Sequence, residues 1–353
     1  MLTQSVAGRV LDYSHNVGQY MGGTRWPGEG FVLPVATAVT RDGLVYVLGR
    51  GAESTEVGLP MEPRAFGARV GKFNMNEPGE EEHILTFGEF GTLDGQFIWP
   101  AGIALDSGER VYVADEWLNR VSVFESDGGF VSCWGTSGSG EAQFNRVSGI
   151  AIDGNDHAYV VDSLNHCVQK LTTMGEFLAE WGGHGRTEGR FDSPWGITVD
   201  DLGHVYVADH FNHRVQKFTA DGEFLLQFGS HGSGRGQLER PSDVAVDADG
   251  DIYVCDWANN RVQVFGPEGG FLTSILGDAH EPSRWAKGTL GANADLRKAR
   301  RRAPSMEPEW RFALPTGVTF DPVRSRLIVA DTQRYRVQIY NKLTGFVDAQ
   351  FNL

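Results

Sequence analysis

Short runs of alternating apolar and polar residues recur along the chain, separated by turns rich in Gly, Asp and Asn. The stretch that begins at Pro194 shows the pattern, with the successive runs GITVD, HVYVAD, RVQKFT and EFLLQFG. Short alternating runs of β-branched and aromatic residues between turn signals predict strands rather than helices. Four such runs joined by tight turns predict a small antiparallel sheet.

The same four-strand pattern recurs at a fixed spacing. Full copies begin near Pro100, Val147, Pro194 and Pro241, 47 residues apart, and partial copies begin near Pro34 and Pro315. The intervals that follow the first and the fifth copy are longer by 19 and 27 residues. Six four-stranded units predict a six-bladed β-propeller, an all-β fold in which each blade is stable only against its neighbours. Residues 1–353 are therefore expected to form a single domain.

Two segments lie outside the regular repeat. Residues 8–14, GRVLDYS, alternate like an outermost strand, and we expect them to pair with the last blade and close the ring. The segment GFVDAQF at 345–351 fits the same place, and the sequence leaves the choice open. The insertion at 278–311 contains NADLRKARRRA, whose Asn293 and Asp295 favour a helix start. This basic helix is expected on the top face, the face of the loops between blades, as a lid, a dock for an acidic partner or a solvated helix.

The repeated phrase Pro-x-Gly-(Ile/Val), Tyr-Val-x-Asp, Asn-x-Arg-Val and Phe-Gly resembles the NHL repeat, and the resemblance extends from about Pro34 to Tyr340. It implies a bacterial-type NHL-repeat six-bladed propeller. NHL propellers serve as enzymes, protein scaffolds and RNA binders, so the resemblance does not select a function.

One enzyme of that family is disfavoured by the residues at its motif positions. The resemblance implies that the zinc histidines of the peptidyl-hydroxyglycine amidating lyase follow the Pro that opens a blade. The residues at those positions here are Val35, Ala101, Ser148, Trp195, Ser242 and Thr316, and none is a histidine. Zinc chemistry of that kind therefore has no ligands at these positions.

Composition and charge narrow the partners. The 46 glycines fit a fold with many turns, and the formal net charge of −15 disfavours general binding to nucleic acid or to anionic membranes. No apolar stretch is long enough for a membrane span, and the first residues do not resemble an export signal. Three scattered cysteines, Cys133, Cys167 and Cys255, are expected to be small buried residues in a reducing compartment. We therefore expect a cytoplasmic protein.

Residues repeated in every blade are expected to hold the blades together. Asp and Asn accept turn N–H groups, and Arg pairs with Asp. The repeated residues on the top face are Asp115, Asp162, Asp209, Asp256 and Asp331, then Asn119, Asn165, Asn212 and Asn259, then Arg120, Arg214, Arg261 and Arg336. The lower-face aspartates Asp106, Asp153, Asp200, Asp247 and Asp321 are expected to form turns.

Function is expected where the top face departs from the repeat. The candidate ligand-binding residues are Arg50, Glu116, His210, Asp243, Trp195 and Trp257, which would form a funnel with charges of both signs and aromatic walls. Such a funnel suits a small molecule or a protein partner. The alternative is a hydrolase or lyase that uses a divalent metal near Glu116 and Asp243, with His210 beside it. The substrate, the partner and the oligomeric state are left open.

Four other histidines are not expected to form a site. His184 and His231 occupy equivalent loops, but neighbouring loops of a propeller diverge from the axis, so we do not expect these two to share a metal. His166 and His213 stand beside the repeated Asn and are expected to form hydrogen bonds in the turn.

Overall fold

The computed structural model describes residues 3–6, 8–18, 30–53 and 65–343. It confirms the predicted six-bladed propeller of four-stranded antiparallel blades with a short helical insertion. The chain begins with β1 (Thr3–Val6) and β2 (Arg9–Gly18). Blade one contains β3 (Pro34–Val39), β4 (Val45–Glu53), β5 (Ala65–Asn74) and β6 (Glu82–Phe87). A short parallel pair, β7 (Glu89–Phe90) and β8 (Gln96–Phe97), leads to blade two.

The next four blades follow the same plan. Blade two contains β9 (Pro100–Leu105), β10 (Val111–Asp115), β11 (Arg120–Phe124) and β12 (Phe130–Trp134), followed by the pair β13 (Thr136–Ser137) and β14 (Gln143–Phe144). Blade three contains β15 (Val147–Ile152), β16 (His157–Asp162), β17 (Cys167–Thr172) and β18 (Phe177–Gly182). Blade four contains β19 (Ile197–Val199), β20 (Val205–Asp209), β21 (Arg214–Phe218) and β22 (Phe224–Phe228). Blade five contains β23 (Pro241–Val246), β24 (Ile252–Asp256), β25 (Arg261–Phe265) and β26 (Phe271–Ile275).

The last blade follows a helical insertion. The helices are α1 (Arg284–Ala292), α2 (Ala294–Arg302) and α3 (Glu307–Trp310), and the strands are β27 (Pro315–Asp321), β28 (Arg326–Asp331) and β29 (Arg336–Leu343). β2 pairs with β29, and β1 pairs with β2, so the N-terminal residues supply the outer strands of this sheet. The segment 345–351 lies outside the described residues.

The hydrophobic core lies between blades rather than within one blade. One cluster combines Val35 and Tyr46 of blade one with Val113 and Phe124 of blade two. Another combines residues of blades three and four in the same way. Each blade therefore buries its faces only when its neighbours are present.

Glycines let the inner strands approach one another closely around the axis. A Cβ atom on Gly149 would lie 2.5 Å from the carbonyl oxygen of Trp195 in the next blade, and Gly102 and Gly317 face the next blade in the same way. A side chain at these positions would push neighbouring inner strands apart. Glycine at this position thus permits the close approach in blades two, three, four and six, whereas blades one and five carry Ala36 and Asp243 there.

The insertion packs at the outer edge of the ring rather than above the channel. The predicted helix is confirmed as α2, and the Asn293 side chain accepts hydrogen bonds from the N–H groups of Asp295 and Leu296, both at 3.1 Å. The helix α1 was not predicted, and its Trp285 packs against Phe31 and Phe73 beside blade one. Of the three alternatives for this basic helix, namely a lid, a dock for an acidic partner or a solvated helix, the solvated helix matches α2, which has no buried residue.

The prediction that all three cysteines are buried is correct for two of them. Cys167 and Cys255 are buried, but Cys133 is exposed, because it lies on the outermost strand β12, where the sheet faces solvent.

Within the described residues, no helix combines the length and the apolar character that a membrane span needs.

Candidate functional site

The repeated aspartates that end the second strands are buried and fully engaged. The carboxylate of Asp209 accepts hydrogen bonds from the N–H of Asp192 (2.8 Å), Nε of Arg214 (2.8 Å) and the amide of Gln216 (3.0 Å). The equivalent residues also accept an N–H from the loop that enters their own blade, and they are Asp115, Asp162, Asp256 and Asp331. These carboxylates hold each blade to the loop before it.

Blade three lacks the arginine of this network. Cys167 stands where blade four has Arg214, so Asp162 is buried opposite a neutral side chain. Burial raises the pKa of Asp162 to about 6, although the N–H of Asn145 and the amide of Asn165 partly offset that effect. The ion pair is therefore formed in blades four, five and six, and blade three folds without it.

The lower-face aspartates, which we call the lower rim (Asp106, Asp153, Asp200, Asp247 and Asp321), also act as turn residues. Asp106 accepts the N–H groups of Gly108 (2.8 Å) and Arg110 (2.9 Å) and the hydroxyl of Tyr112 (2.9 Å). The same tyrosine contact recurs at Asp153, Asp200 and Asp247, whereas Asp321 pairs with Arg326. This end of the propeller is nearly the same from blade to blade.

The opposite end differs from blade to blade. We call the residue after the repeated top-face Asp position the upper rim, which consists of Arg50, Glu116, Ser163, His210, Trp257 and Thr332. Blade one departs most from the repeat, because Gly49 stands where the other blades have Asp and Arg50 follows it. The Arg50 side chain is 15 % exposed and donates to the Pro100 carbonyl oxygen (3.2 Å) and to Oε2 of Glu116 (3.1 Å).

Arg50 also lies between two tryptophan rings. Its guanidinium carbon is 5.0 Å from the ring centroid of Trp99 and 6.0 Å from that of Trp195. Burial lowers the pKa of Arg50 to about 10, and the nearby Glu116 carboxylate opposes this effect. Arg50 therefore keeps its charge at neutral pH. Because Arg50 belongs to blade one and Trp195 to blade four, the contact spans the mouth of the channel.

Three aromatic side chains continue this cluster. The ring centroid of His210 is 4.7 Å from that of Trp195 and 6.0 Å from that of Trp257, and the two tryptophans are 6.4 Å apart. The Nδ1 atom of His210 donates to the Pro241 carbonyl oxygen at 3.0 Å, which leaves Nε2 as an acceptor. Burial lowers the pKa of His210 to about 4, so the ring is neutral at physiological pH.

Glu116 is held from both sides. Its Oε2 atom binds Arg50, and its Oε1 atom binds Nη1 of Arg146 at 3.0 Å. Both carboxylate oxygens already have cationic partners. Among the residues that the structure describes, no group of three potential metal ligands includes Glu116 or Asp243.

Asp243 lies lower, in the wall of the axial channel. It occupies the place of the inner-strand glycine, and its carboxylate accepts the N–H of Val318 in blade six at 2.9 Å. Burial raises the pKa of Asp243 to about 7, partly opposed by the N–H groups of Val318 and Val244. The channel has a volume of about 330 Å³ and is lined by the inner strands of all six blades, with Arg50 and Trp195 at one end and Asp200 and Asp247 at the other.

The structure thus brings together Arg50, Glu116, Trp195, His210 and Trp257, while Asp243 lies apart from them within the channel. The hydroxyl groups of Ser148 and Ser242, at the mouth, donate to carbonyl oxygens of the next blade and are structural. Sequence reasoning missed Trp99 as a member of the cluster. Trp99 could have been identified from its position directly before Pro100, which opens blade two on the same face.

A sequence profile of the NHL repeat matches residues 97–124, 144–171, 191–218 and 238–265, in blades two to five. A stretch of 70 residues is 43 % identical to the protein lin-41 of Caenorhabditis elegans, and 44 residues are 41 % identical to the protein brain tumor of Drosophila melanogaster. These stretches are 20 % and 12 % of this chain and 6 % and 4 % of those proteins. The chain thus matches only a small part of the length of these relatives.

Solved structures of similar shape include two lyases. An inactive virginiamycin B lyase from Staphylococcus aureus with quinupristin is 14 % identical, with a TM-score of 0.52 and coverage of 93 % of this chain and 99 % of that one. A streptogramin B lyase is 12 % identical, with a TM-score of 0.54 and coverage of 94 % and 97 %. A protein of unknown function from Bacteroides thetaiotaomicron is 17 % identical, with a TM-score of 0.59 and coverage of 96 % and 77 %. At such low identity these similarities concern the fold alone.

Proposed function

The chain is an NHL-repeat six-bladed propeller, and we propose that it is a binding module that holds a protein partner on its top face, around the mouth of the channel. The observation that carries this proposal is the contact cluster of Arg50, Trp99, Trp195, His210 and Trp257, drawn from blades one, two, four and five. No common demand of the blades explains these residues, since each blade folds with a different one. Arginine and tryptophan are the residue types most enriched in interface hot spots.

Exposed apolar side chains surround this cluster. Trp117, Leu164 and Phe211 stand at the same turn position of blades two, three and four and are 65 %, 43 % and 43 % exposed. Exposed apolar residues that adjoin one another mark interaction sites, whereas isolated ones need no explanation. The ring centroid of Phe211 is 5.0 Å from that of His210, and the equivalent positions of blades two and three are also apolar and exposed.

The charges of this surface indicate the partner's chemistry. The Arg146 side chain is 54 % exposed beside Glu116, and the Arg240 guanidinium lies 5.3 Å from the ring of Phe211. Guanidinium groups beside aromatic faces bind carboxylates and planar groups. We therefore expect a short extended segment that carries an apolar side chain next to a carboxylate. A small molecule with the same two groups would bind at the same mouth and compete with that segment.

The second candidate, a metal-dependent hydrolase or lyase, has less support from this geometry. Both oxygens of Glu116 are bound by arginines, and Asp243 lies within the channel wall. A metal at Glu116 would have to displace two ion pairs. The lyase structures of similar shape add no residue-level support at 12–14 % identity.

The test is a selection from a displayed library of random peptides against the folded chain. We expect enriched peptides that combine an apolar residue with Asp, Glu or a free C-terminal carboxylate. Their affinity is measured for the native chain and for Trp117→Ala, which removes an exposed top-face ring without removing a buried contact.

Leu202→Ala is the matched control, because Leu202 is 82 % exposed in a turn on the opposite face. We expect Trp117→Ala to weaken binding about tenfold, the loss of roughly 1.4 kcal/mol, and Leu202→Ala to leave it unchanged. A selection without enrichment, or peptides equally sensitive to both changes, would overturn the proposal. A single-stranded oligonucleotide is included as a probe that we expect not to bind.

A further inference from the structure

Two neighbouring blades repeat a group of two histidines and one carboxylate near the edge of the top face. His166 in the turn after β16 meets His184 and Asp192, which lie in the loop between blades three and four. One blade further on, His213 meets His231 and Glu239. In each group the potential ligand atoms lie within 4.8 Å of one another.

The fold does not require these residues. His166 and His213 adopt the left-handed conformation, with φ of 57° and 56°, and Nδ1 of each accepts the N–H of Ser193 (3.0 Å) or Arg240 (3.1 Å). Asn119 has the same conformation in blade two and accepts the N–H of Arg146 at 2.6 Å. Asn119 is therefore equivalent to His166 rather than to Asn165.

Blade two supplies a natural comparison. The residues equivalent to the second histidine and the carboxylate are Ser137 and Asn145 there. The same turn and loop thus form with three residues that are weak metal ligands. An acceptor is needed only at the first position, so the second histidine and the acid in the other two groups lack a structural reason.

The geometry of both groups suits one metal ion. The two ring centroids are 4.6 Å apart in the first group and 4.4 Å apart in the second. Two imidazoles that bind one metal at about 2.0–2.1 Å with a tetrahedral angle place their ring centroids roughly 5 Å apart, so a small rotation of the exposed histidine in each group brings both rings to that separation. In the second group, Nε2 of His231 is 2.7 Å and Nδ1 of His213 is 3.8 Å from carboxylate oxygens of Glu239. In the first group, Nε2 of His184 is 3.9 Å from Oδ1 of Asp192.

We propose that these two groups are transition-metal sites, each holding one ion such as Zn²⁺ through two imidazoles and one carboxylate. Imidazole nitrogen selects zinc, copper or nickel over calcium and magnesium, which prefer oxygen ligands. His184 and His231 are 69 % exposed at their side chains, so they can adjust to an ion and leave its remaining positions to water.

Binding at Nδ1 of His213 replaces its hydrogen bond from the N–H of Arg240. Arg240 is exposed, so water accepts that N–H in place of the histidine. Each ion would link the second-to-third-strand turn of one blade to the loop that leads into the next blade. The sites therefore differ in place and chemistry from the mouth of the channel.

Among the described residues, a further group of potential metal ligands consists of aspartates alone and is not proposed as a metal site. Asp247, Asp249 and Asp251 lie close enough together to suggest a metal, but Nζ of Lys342 binds all three at 2.5, 2.8 and 3.0 Å. An ammonium group thus already occupies the position that a cation would take.

Calorimetric titration of Zn²⁺ into the full metal-free chain, without peptide, tests the proposal. We expect two ions per chain, one ion for His184→Ala, one for His231→Ala and none for the double variant. Because both side chains are exposed, these variants are expected to keep the native thermal midpoint. Co²⁺ provides a second readout, since each single variant should lose half of the absorbance that the bound cobalt gives.

His157→Ala is the matched control, because His157 contacts only the lower-rim Asp153 among its acidic neighbours in the described structure, at 3.2 Å. This variant should bind two ions, and Mg²⁺ should not compete with Zn²⁺. A native chain that takes up no zinc, or a double variant that binds as much as the native chain, overturns the proposal. Either result leaves the peptide experiment unaffected.

Discussion

The two ends of the propeller are built from the same strands but follow opposite rules. At the lower rim, four of the five aspartates accept the hydroxyl of the tyrosine six residues later, in the next strand, and the fifth pairs with Arg326. At the upper rim, six blades carry six different residues. The lower rim satisfies the same turn in each blade, whereas the upper rim presents a different chemical group at each position around one mouth.

This difference separates structural residues from functional candidates without any knowledge of the ligand. A residue that every blade needs is expected to lower stability when it is changed. A residue that only one blade has, on a turn that folds equally well elsewhere, is expected to change binding instead. Asp209 and His210 are adjacent in sequence and fall on the two sides of this division.

The largest effect is expected at the lower end, where the last blade meets blade five. Lys342→Met removes the ammonium group that binds the buried carboxylates of Asp247 and Asp251. We expect the free energy of unfolding to fall by about 3–5 kcal/mol, because a buried charge loses its partner. Chemical denaturation measures this value. Lys298→Met on the exposed face of α2 is the control, and equal losses in both variants would contradict the account.

The adjacent pair provides the next test. Asp209→Ala leaves the buried Arg214 without its carboxylate and is expected to cost about 3 kcal/mol. His210→Ala removes ring contacts and one hydrogen bond and is expected to cost roughly 1 kcal/mol. Thermal unfolding of the two variants under one condition gives the comparison. A larger loss for His210→Ala would place the upper rim among the structural residues.

Blade three allows the repeated network to be restored. Cys167→Arg places a guanidinium opposite Asp162, whose pKa is raised to about 6 by burial. In the native chain, the folded state holds this proton above the pKa of the unfolded chain, so stability falls as pH rises from about 4 to about 6. We expect a gain of about 1–3 kcal/mol at pH 7.5, because the ionised Asp162 then has a partner.

The same variant should lose its advantage near pH 4, where Asp162 is protonated and the new arginine is buried without a carboxylate. Denaturation at several pH values measures both limits. Cys167→Ala serves as the control and should keep the pH dependence of the native chain. A gain that does not depend on pH would show that packing, rather than charge, causes it.

A substitution of Asp243 is also expected to raise the free energy of unfolding at high pH, but by less than Cys167→Arg does. Burial raises its pKa to about 7, so its ionisation opposes folding as pH rises from about 4 to about 7. Asp243→Asn keeps an acceptor for the N–H of Val318 and removes the charge. The rise of the Asp243 pKa from about 4 to about 7 sets an upper limit of about 4 kcal/mol at pH 8, and burial of the asparagine NH2 group offsets part of it, so we expect a net gain of about 1 kcal/mol at pH 8 and none at pH 4. Folding lost in Asp243→Ala but kept in Asp243→Asn would assign the residue to the structural set through its hydrogen bond.

The repeat made most of the fold predictable, whereas the site was only partly so. A spacing of 47 residues with Tyr-Val-x-Asp in each of the four full copies predicts blades, because each blade must pack against neighbours of the same shape. The sequence also indicated Arg50, Trp195 and Trp257 as departures from the repeat. It did not indicate that Arg50 reaches across the mouth to Trp195, since such a contact depends on the ring being closed.

Two other contacts were not predicted from the sequence, for the same reason. Trp99 belongs to the cluster because the loop into blade two places it under Arg50, and no periodic pattern marks that loop. His184 and His231 do not meet each other, but each meets the histidine 18 residues before it, across one blade edge. Contacts between turns of this kind follow from three-dimensional packing rather than from spacing along a strand.

The most direct test of the proposed binding surface at the mouth of the channel is the affinity of a library-selected peptide for Trp195→Ala, measured on samples whose thermal midpoint is recorded. Trp195 contacts both Arg50 and His210, so its removal opens the centre of the cluster. We predict binding at least tenfold weaker than for the native chain, with the fold retained. Unchanged affinity in a folded Trp195→Ala variant would contradict the claim that the cluster around the mouth of the channel is the binding surface.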